Sequence, residues 1–158
     1  MTKLTALSQE IWDMKYRLKT ASGEPVDKTI EASWRRMARA LAAAEPADGS
    51  GGDSGGPGRK AVESQFFRAL EDFRFLPAGR IQAGAGTERK VTLFNCFVMG
   101  TIPDDMGGIF EHLKEAALTM QQGGGIGYDF STLRPKGAVV HGIGADASGP
   151  LSFMDVWD

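Results

Sequence analysis

At 158 residues, 42% of them hydrophobic, the chain has the length of one modest domain and enough apolar content to build a core. A net charge of −2 excludes the broad basic surface that unspecific binding to nucleic acid or anionic membrane requires, and a single cysteine excludes an internal disulfide framework and fits a reducing compartment. No apolar run approaches the roughly 20 residues that span a bilayer, and the opening MTKLTALSQE lacks the apolar core of a secretory signal. A cytoplasmic protein with no nucleic-acid or membrane partner is expected.

Leu4, Leu7, Ile11, Met14 and Leu18 fall at helical spacing, which predicts an amphipathic helix over 4–18 that packs this stripe on a neighbour. Ser22-Gly23-Glu24-Pro25 breaks the pattern, Asp27 is a capping candidate, and a second helix is expected to run through about Ala44. Its apolar face is Ile30, Trp34, Met37 and Leu41, with Arg35, Arg36 and Arg39 expected in solvent. Residues 47–58 are nearly all Gly, Ser, Asp and Pro, a composition that cannot bury enough surface to order itself. No Lys-Ser or Lys-Thr follows a strand there, so the segment is a surface loop rather than a phosphate loop. A third helix over 60–73 presents Val62, Phe66, Leu70 and Phe73, and Leu76 to Gly86 is expected as loop.

The most informative stretch runs from Val91 to Gly137. Val91 to Met99 is β-branched, aromatic or apolar, which predicts a strand buried on both faces and carrying Cys96. Asp104 or Asp105 can cap the next helix, whose apolar face is Met106, Ile109, Leu113 and Met120, while His112 falls on its polar side. Gly123 to Gly127 then removes every β-carbon but one, which suits either a tight helix-to-strand turn or a surface where a nucleotide approaches the backbone. Strand, helix and strand make a βαβ unit and call for a parallel sheet. Another apolar helical run starts at Leu151. One cysteine and two scattered histidines give no metal-ligand spacing, so no metal is expected.

The phrases Phe94-Asn95-Cys96-Phe97-Val98, Gly123 to Phe130, Leu133-Arg134-Pro135-Lys136-Gly137 and Ser148-Gly149-Pro150 occur in the order and near the spacing seen at the start of the catalytic barrel of ribonucleotide reductases. Ile11-Trp12-Asp13, Lys15-Tyr16-Arg17 and Phe75 to Arg80 are similar to a subgroup of the adenosylcobalamin-dependent class, so the resemblance covers nearly the whole chain. It implies an α/β fold: a helical lead-in over 1–75, then over 76–158 the first βαβ unit of a ten-stranded α/β barrel, incomplete here. It implies that Cys96 is one of two thiols that reduce the ribose, and that its partner and the thiyl-radical cysteine lie in a further part of the enzyme. It places Ala78, Asn95, Gly124 and Gly125 beside the substrate. Some relatives carry a hydroxyl residue where this chain has Ala78, and others a serine in place of Asn95. Asp104 falls where the family holds an effector's ribose (Asp105 is the alternative), and Arg134 and His141 fall near its phosphates.

The implied cofactor is adenosylcobalamin, bound outside this stretch. The implied partners are a ribonucleotide substrate, a deoxynucleoside triphosphate effector, the remaining reductase chain, a thioredoxin-like reductant and a second copy in a homodimer. Three alternatives follow for a chain of this length: one piece of a split or truncated reductase, inactive by itself; a non-catalytic nucleotide-binding module; or a gene remnant.

Overall fold

The structure, a computed structural model, describes residues 4–46, 58–142 and 144–158. The loop expected over 47–58 lies outside them except for Gly58, which precedes a helix. The chain forms two compact units, Met1–Leu93 and Phe94–Asp158. The expected division at residues 75 and 76 therefore falls inside the first unit.

The first unit is helical: α1 (Ala6–Ile11), a π-helical turn (Trp12–Tyr16), α2 (Ile30–Ala42), α3 (Arg59–Leu70), a 3-10 turn (Glu71–Phe73) and α4 (Gly79–Gly84). Thr5 caps α1 by accepting from the Ser8 N–H, and Thr29, rather than Asp27, caps α2 by accepting from Ala32. The single helix expected over 4–18 is instead α1 followed by the π turn, closed by Arg17 N–H donating to the Trp12 carbonyl at 2.9 Å. The wider turn changes the helical phase. Trp12 points inward, its indole N–H donating to Ser33 Oγ at 3.1 Å, while Leu7 and Met14 of the expected stripe are each 66% exposed.

The core gathers Trp34, Met37 and Ala38 of α2 with Leu70 and Ala85, and Ile30, Phe66, Phe67 and Ile81 pack around it. Asp72 and Phe73 adopt left-handed backbone and end α3 short of the expected residue 73. The corner turns the Phe73 ring edge-on to Trp34, with centroids 5.2 Å apart.

Arg36 is not in solvent as expected. Its side chain and that of Asp27 are 9% and 5% exposed and form an ion pair, with Arg36 Nε donating to Asp27 Oδ2 at 3.1 Å. Arg36 also donates to the carbonyls of Tyr16 (3.3 Å), Gln82 (3.1 Å) and Ala85, and Asp27 Oδ2 accepts further bonds from Ser33 Oγ (2.7 Å) and the Leu18 N–H (3.3 Å). A buried guanidinium needs such company, because an unpaired charge away from water is far too costly to keep. The segment expected as loop over 76–86 contains α4, and the carbonyls of its Gln82 and of Ala85, the residue that follows it, meet this arginine. Gly86, at φ +71°, follows because a β-carbon there would stand 2.9 Å from Arg36 atoms.

The second unit holds β1 (Cys96–Val98), α5 (Met106–Gln121), β2 (Gly125–Gly127) and α6 (Pro150–Trp157). The strands are parallel, with Cys96 opposite Gly125 and Val98 opposite Gly127, as the βαβ pattern requires. The chain is thus a helical domain followed by a short two-stranded parallel sheet with its helix. The strand expected over 91–99, buried on both faces, is only three residues long and exposed: Val98 is 98% accessible. Paired neighbours define and cover a strand, and among the described residues β1 has one neighbouring strand. The core here is Ile102, Ile109 and Leu133 with Tyr128, Phe130, Phe153 and Trp157 around it. Ile109 and Ala116 are the buried residues of α5, whereas Met106 and Met120 of its expected apolar face are exposed. Among the described residues no helix is long and apolar enough to cross a membrane.

Removing the carboxylate from the buried pair by Asp27→Ala should lower the unfolding free energy by about 3–5 kcal/mol, followed by tryptophan fluorescence in urea. A loss below about 1 kcal/mol, the range of exposed pairs, would show that Arg36 rehydrates freely.

Candidate functional site

Parallel pairing brings the site together. The loop that leaves the carboxyl end of β1 and the loop that leaves the carboxyl end of β2 emerge at the same end of the sheet, which is where open α/β sheets bind ligands. Asp104 belongs to the first loop and Arg134 to the second. Arg134 Nε donates to Asp104 Oδ2 at 2.8 Å, its backbone N–H to Oδ1 at 3.2 Å, and its Nη2 to the Asp104 carbonyl at 3.0 Å. The backbone N–H of Arg134, with its guanidinium behind it, holds the Asp104 carboxyl below the usual carboxylate range. Asp105, and not Asp104, caps α5, accepting from the Gly108 N–H at 2.9 Å, which decides the cap that spacing left open.

The pair stands at a groove of about 570 Å³ lined by Asp104, Arg134 and His141 above Ile109, Leu133 and Phe153. The volume, and a lining of apolar residues with a few charged groups, fall within the range of small-molecule pockets. His141 arrives on a narrow antiparallel ladder in which Gly137 donates to Ala147, Ala147 to Ala138 and Val140 to Ala145. The ladder also delivers Asp146, a groove residue that spacing did not single out. Its signal was present in the glycines: Gly137, Gly142 and Gly144 all take positive φ, the left-handed backbone of tight turns. Gly149, at φ +86°, lies where a β-carbon would stand 2.8 Å from the Lys136 backbone nitrogen. The Ser-Gly-Pro phrase therefore closes on the Arg-Pro-Lys-Gly phrase.

Cys96 lies on β1 and its thiol is exposed, not buried as expected. Gly125 is its register partner, and a β-carbon there would stand 3.5 Å from Cys96 Sγ. The Gly125 N–H donates to the Asn95 carbonyl at 2.8 Å and the Gly124 N–H to Thr119 at 3.1 Å, so both amides are used within the fold. Gly124 is required by packing: a β-carbon would stand 2.7 Å from the Phe97 ring. Asn95 is exposed beside the thiol-bearing position. Ala78 belongs to the helical unit, at the N-cap of α4. Thus Asp104, Arg134 and His141 converge on one groove, and Asn95, Cys96, Gly124 and Gly125 meet at the strand pair.

His112 departs from the polar position expected for it. Its ring packs edge-on to Tyr128 with centroids 5.6 Å apart, and the Tyr128 hydroxyl donates to the His112 carbonyl at 2.8 Å. Burial pushes the Tyr128 phenol up, so it stays a neutral donor.

Because its folded-state pKa is depressed, the Asp104 carboxylate contributes stability that is present above the usual carboxylate pKa and is lost as pH falls through the depressed value. In a carboxyl-carbon NMR titration Asp104 should have its midpoint below the usual range, and Arg134→Ala, which removes the guanidinium but keeps the backbone N–H, should raise it only part of the way back. A midpoint in the usual range for the unaltered protein would show that the pair does not form in solution.

The chain matches the ribonucleotide reductase all-alpha domain over residues 2–90 and the ribonucleotide reductase barrel domain over residues 94–158. It is 37% identical over 158 residues to the vitamin B12-dependent ribonucleoside-diphosphate reductase of Mycobacterium tuberculosis, covering 99% of this chain and 21% of that protein. The Thermoplasma acidophilum enzyme of the same name is 39% identical over 95 residues, covering 60% of this chain and 12% of that protein. The ribonucleoside-diphosphate reductase subunit alpha of Helicobacter pylori is 36% identical over 100 residues, covering 63% and 12%. The chain thus spans about a fifth, or less, of the length of these curated relatives. With one family domain matched onto each of its two units, the chain belongs to the ribonucleotide reductase family.

Proposed function

We propose that this chain is the N-terminal part of an adenosylcobalamin-dependent ribonucleoside-diphosphate reductase, with Cys96 as one thiol of the reducing pair and the Asp104–Arg134 groove as its effector site. The observation that carries the proposal is the parallel strand pair itself: one strand bears the thiol, and the loops beyond both strands bring a carboxylate, a guanidinium and His141 to one nucleotide-sized groove. A carboxylate is the natural acceptor for ribose hydroxyls. A guanidinium, always charged and planar, suits phosphate oxygens.

In the proposed reaction, the 2′ hydroxyl of the ribonucleotide leaves as water while two thiols, Cys96 and a second cysteine from the rest of the enzyme, become a disulfide. The two electrons and two protons they release balance the deoxygenation, and a thioredoxin-like dithiol resets the pair. Adenosylcobalamin would supply the radical that starts the reaction. The groove, at about 570 Å³, is too small for a corrin with its attached nucleosides, and by resemblance the cofactor is assigned to the rest of the enzyme. Ala78 and Asn95 are proposed to border the substrate, and a homodimer of the whole enzyme in the cytoplasm completes the proposal.

A second reading, a nucleotide-binding module without chemistry, is favoured by one fact: the groove is lined wholly by residues 104–153 of this chain. Co-expression with the remaining reductase chain, assayed for ribonucleotide reduction with adenosylcobalamin and a dithiol, separates the two. Activity should require both chains and should be abolished by Cys96→Ser with effector binding intact; normal turnover by that variant refutes the role of Cys96. Arg134→Ala should weaken effector binding by roughly 1.5–3 kcal/mol, the range of charge-assisted hydrogen bonds. Effector binding without reduction in the co-expressed pair would favour the second reading.

A further inference from the structure

We infer that the Asp104–Arg134 pair is a clasp that a ligand must open: in the free protein Asp104 holds the arginine that the phosphates need, so the groove restrains its own affinity for anions. The inference deepens the effector-site proposal and rests on the groove taking a phosphate-bearing ligand. The geometry is that of a closed contact. Arg134 commits three donors to one residue: Nε and its own backbone N–H to the two carboxylate oxygens, and Nη2 to the Asp104 carbonyl. Nε and Nη2 lie on one edge of the guanidinium, one of the two that can form a two-point contact with a phosphate. Both side chains are about one-third exposed and line the groove, so the contact sits where solvent and ligand can compete for it.

The energetic consequence follows from population arithmetic. When a ligand binds the open form, its apparent affinity falls by the fraction of protein that is open, and that factor is the same for every ligand that needs the opening. A pair about one-third exposed is weak enough to be opened and strong enough to matter, and freeing Arg134 should raise anion affinity about two- to tenfold. Plain repulsion between Asp104 and an anion behaves differently. It grows with the anion's charge and does not need Arg134.

The test is calorimetric titration of the full chain with tripolyphosphate and with pyrophosphate, probes that lack the ribose assigned to Asp104. The proteins are the unaltered chain, Asp104→Asn, Arg134→Ala and the double variant, with Asp104→Ser as a second opening variant should the asparagine re-form the contact. The clasp predicts a gain of about two- to tenfold for Asp104→Asn, equal for the two anions, and no gain from the same change in the Arg134→Ala background. A gain that is larger for tripolyphosphate and persists without Arg134 is simple repulsion and overturns the clasp. A loss of affinity in both Asp104 variants means that Asp104 props the arginine for its ligand, and overturns it too, as does the absence of anion binding by every variant. The effector reading fails separately: a deoxynucleoside triphosphate that binds the unaltered chain no more tightly than tripolyphosphate counts against a nucleotide site, while the equal gain in Asp104→Asn would still uphold the clasp.

Discussion

The second unit depends on the parallel pairing of Cys96–Val98 with Gly125–Gly127. Parallel strands cannot be joined by a tight turn, so a crossover must return the chain to the starting end. Here that crossover is α5, started by the Asp105 cap and ended at Gly123, which takes the positive φ that lets the chain leave the helix. Gly124 then admits the Phe97 ring and Gly125 admits the approach of the Cys96 strand. Once the two strands run the same way, the loops at their carboxyl ends must be neighbours. The meeting of Asp104 with Arg134, 30 residues apart in the chain, follows from that geometry.

In the helical unit the corresponding constraint is the charge of Arg36. A guanidinium at the centre of a helical cluster is tolerated because Asp27 neutralises it and the carbonyls of Tyr16, Gln82 and Ala85 take its donors. Those carbonyls belong to the π turn, to α4 and to the residue that follows α4, so a single side chain of α2 ties down two segments whose own sequences specify little. The short α4 is six residues long, below the length at which a helix is stable by itself. Its place is set by Arg36 and by the packing of Ile81 on the core.

The two ionic contacts illustrate opposite uses of the same chemistry. The Arg36–Asp27 pair is buried and surrounded by further hydrogen bonds, and it defines structure. The Arg134–Asp104 pair is one-third exposed at the wall of a groove, where solvent can compete for it. Burial decides between them, because removing water raises both the worth of a charge contact and the penalty for breaking it.

Much of this protein could be read from its sequence. Helix periodicity located α2, α3 and α5 because a 3.6-residue repeat of large apolar side chains is a local signal, and an apolar run located α6. The βαβ order specified a parallel sheet, and the phrases around Cys96, Arg134 and Gly149 identified the family to which both units belong. Local signals were blind to phase and burial. The π turn that brings Trp12 to Ser33, the inward turn of Arg36 and the edge-on packing of His112 on Tyr128 each depend on a partner distant in the chain, which periodicity does not see. The apolar run around Cys96 implied a covered strand, but cover is a property of neighbouring elements, and among the described residues the thiol stands exposed. Sequence alone determined the main helices, the strand–helix–strand order and the family, but neither α4 nor the π turn. Only the tertiary structure decided that Asp105 caps the helix while Asp104 holds Arg134, because a hydrogen bond between loops that meet at one end of a parallel sheet is a fact of three dimensions.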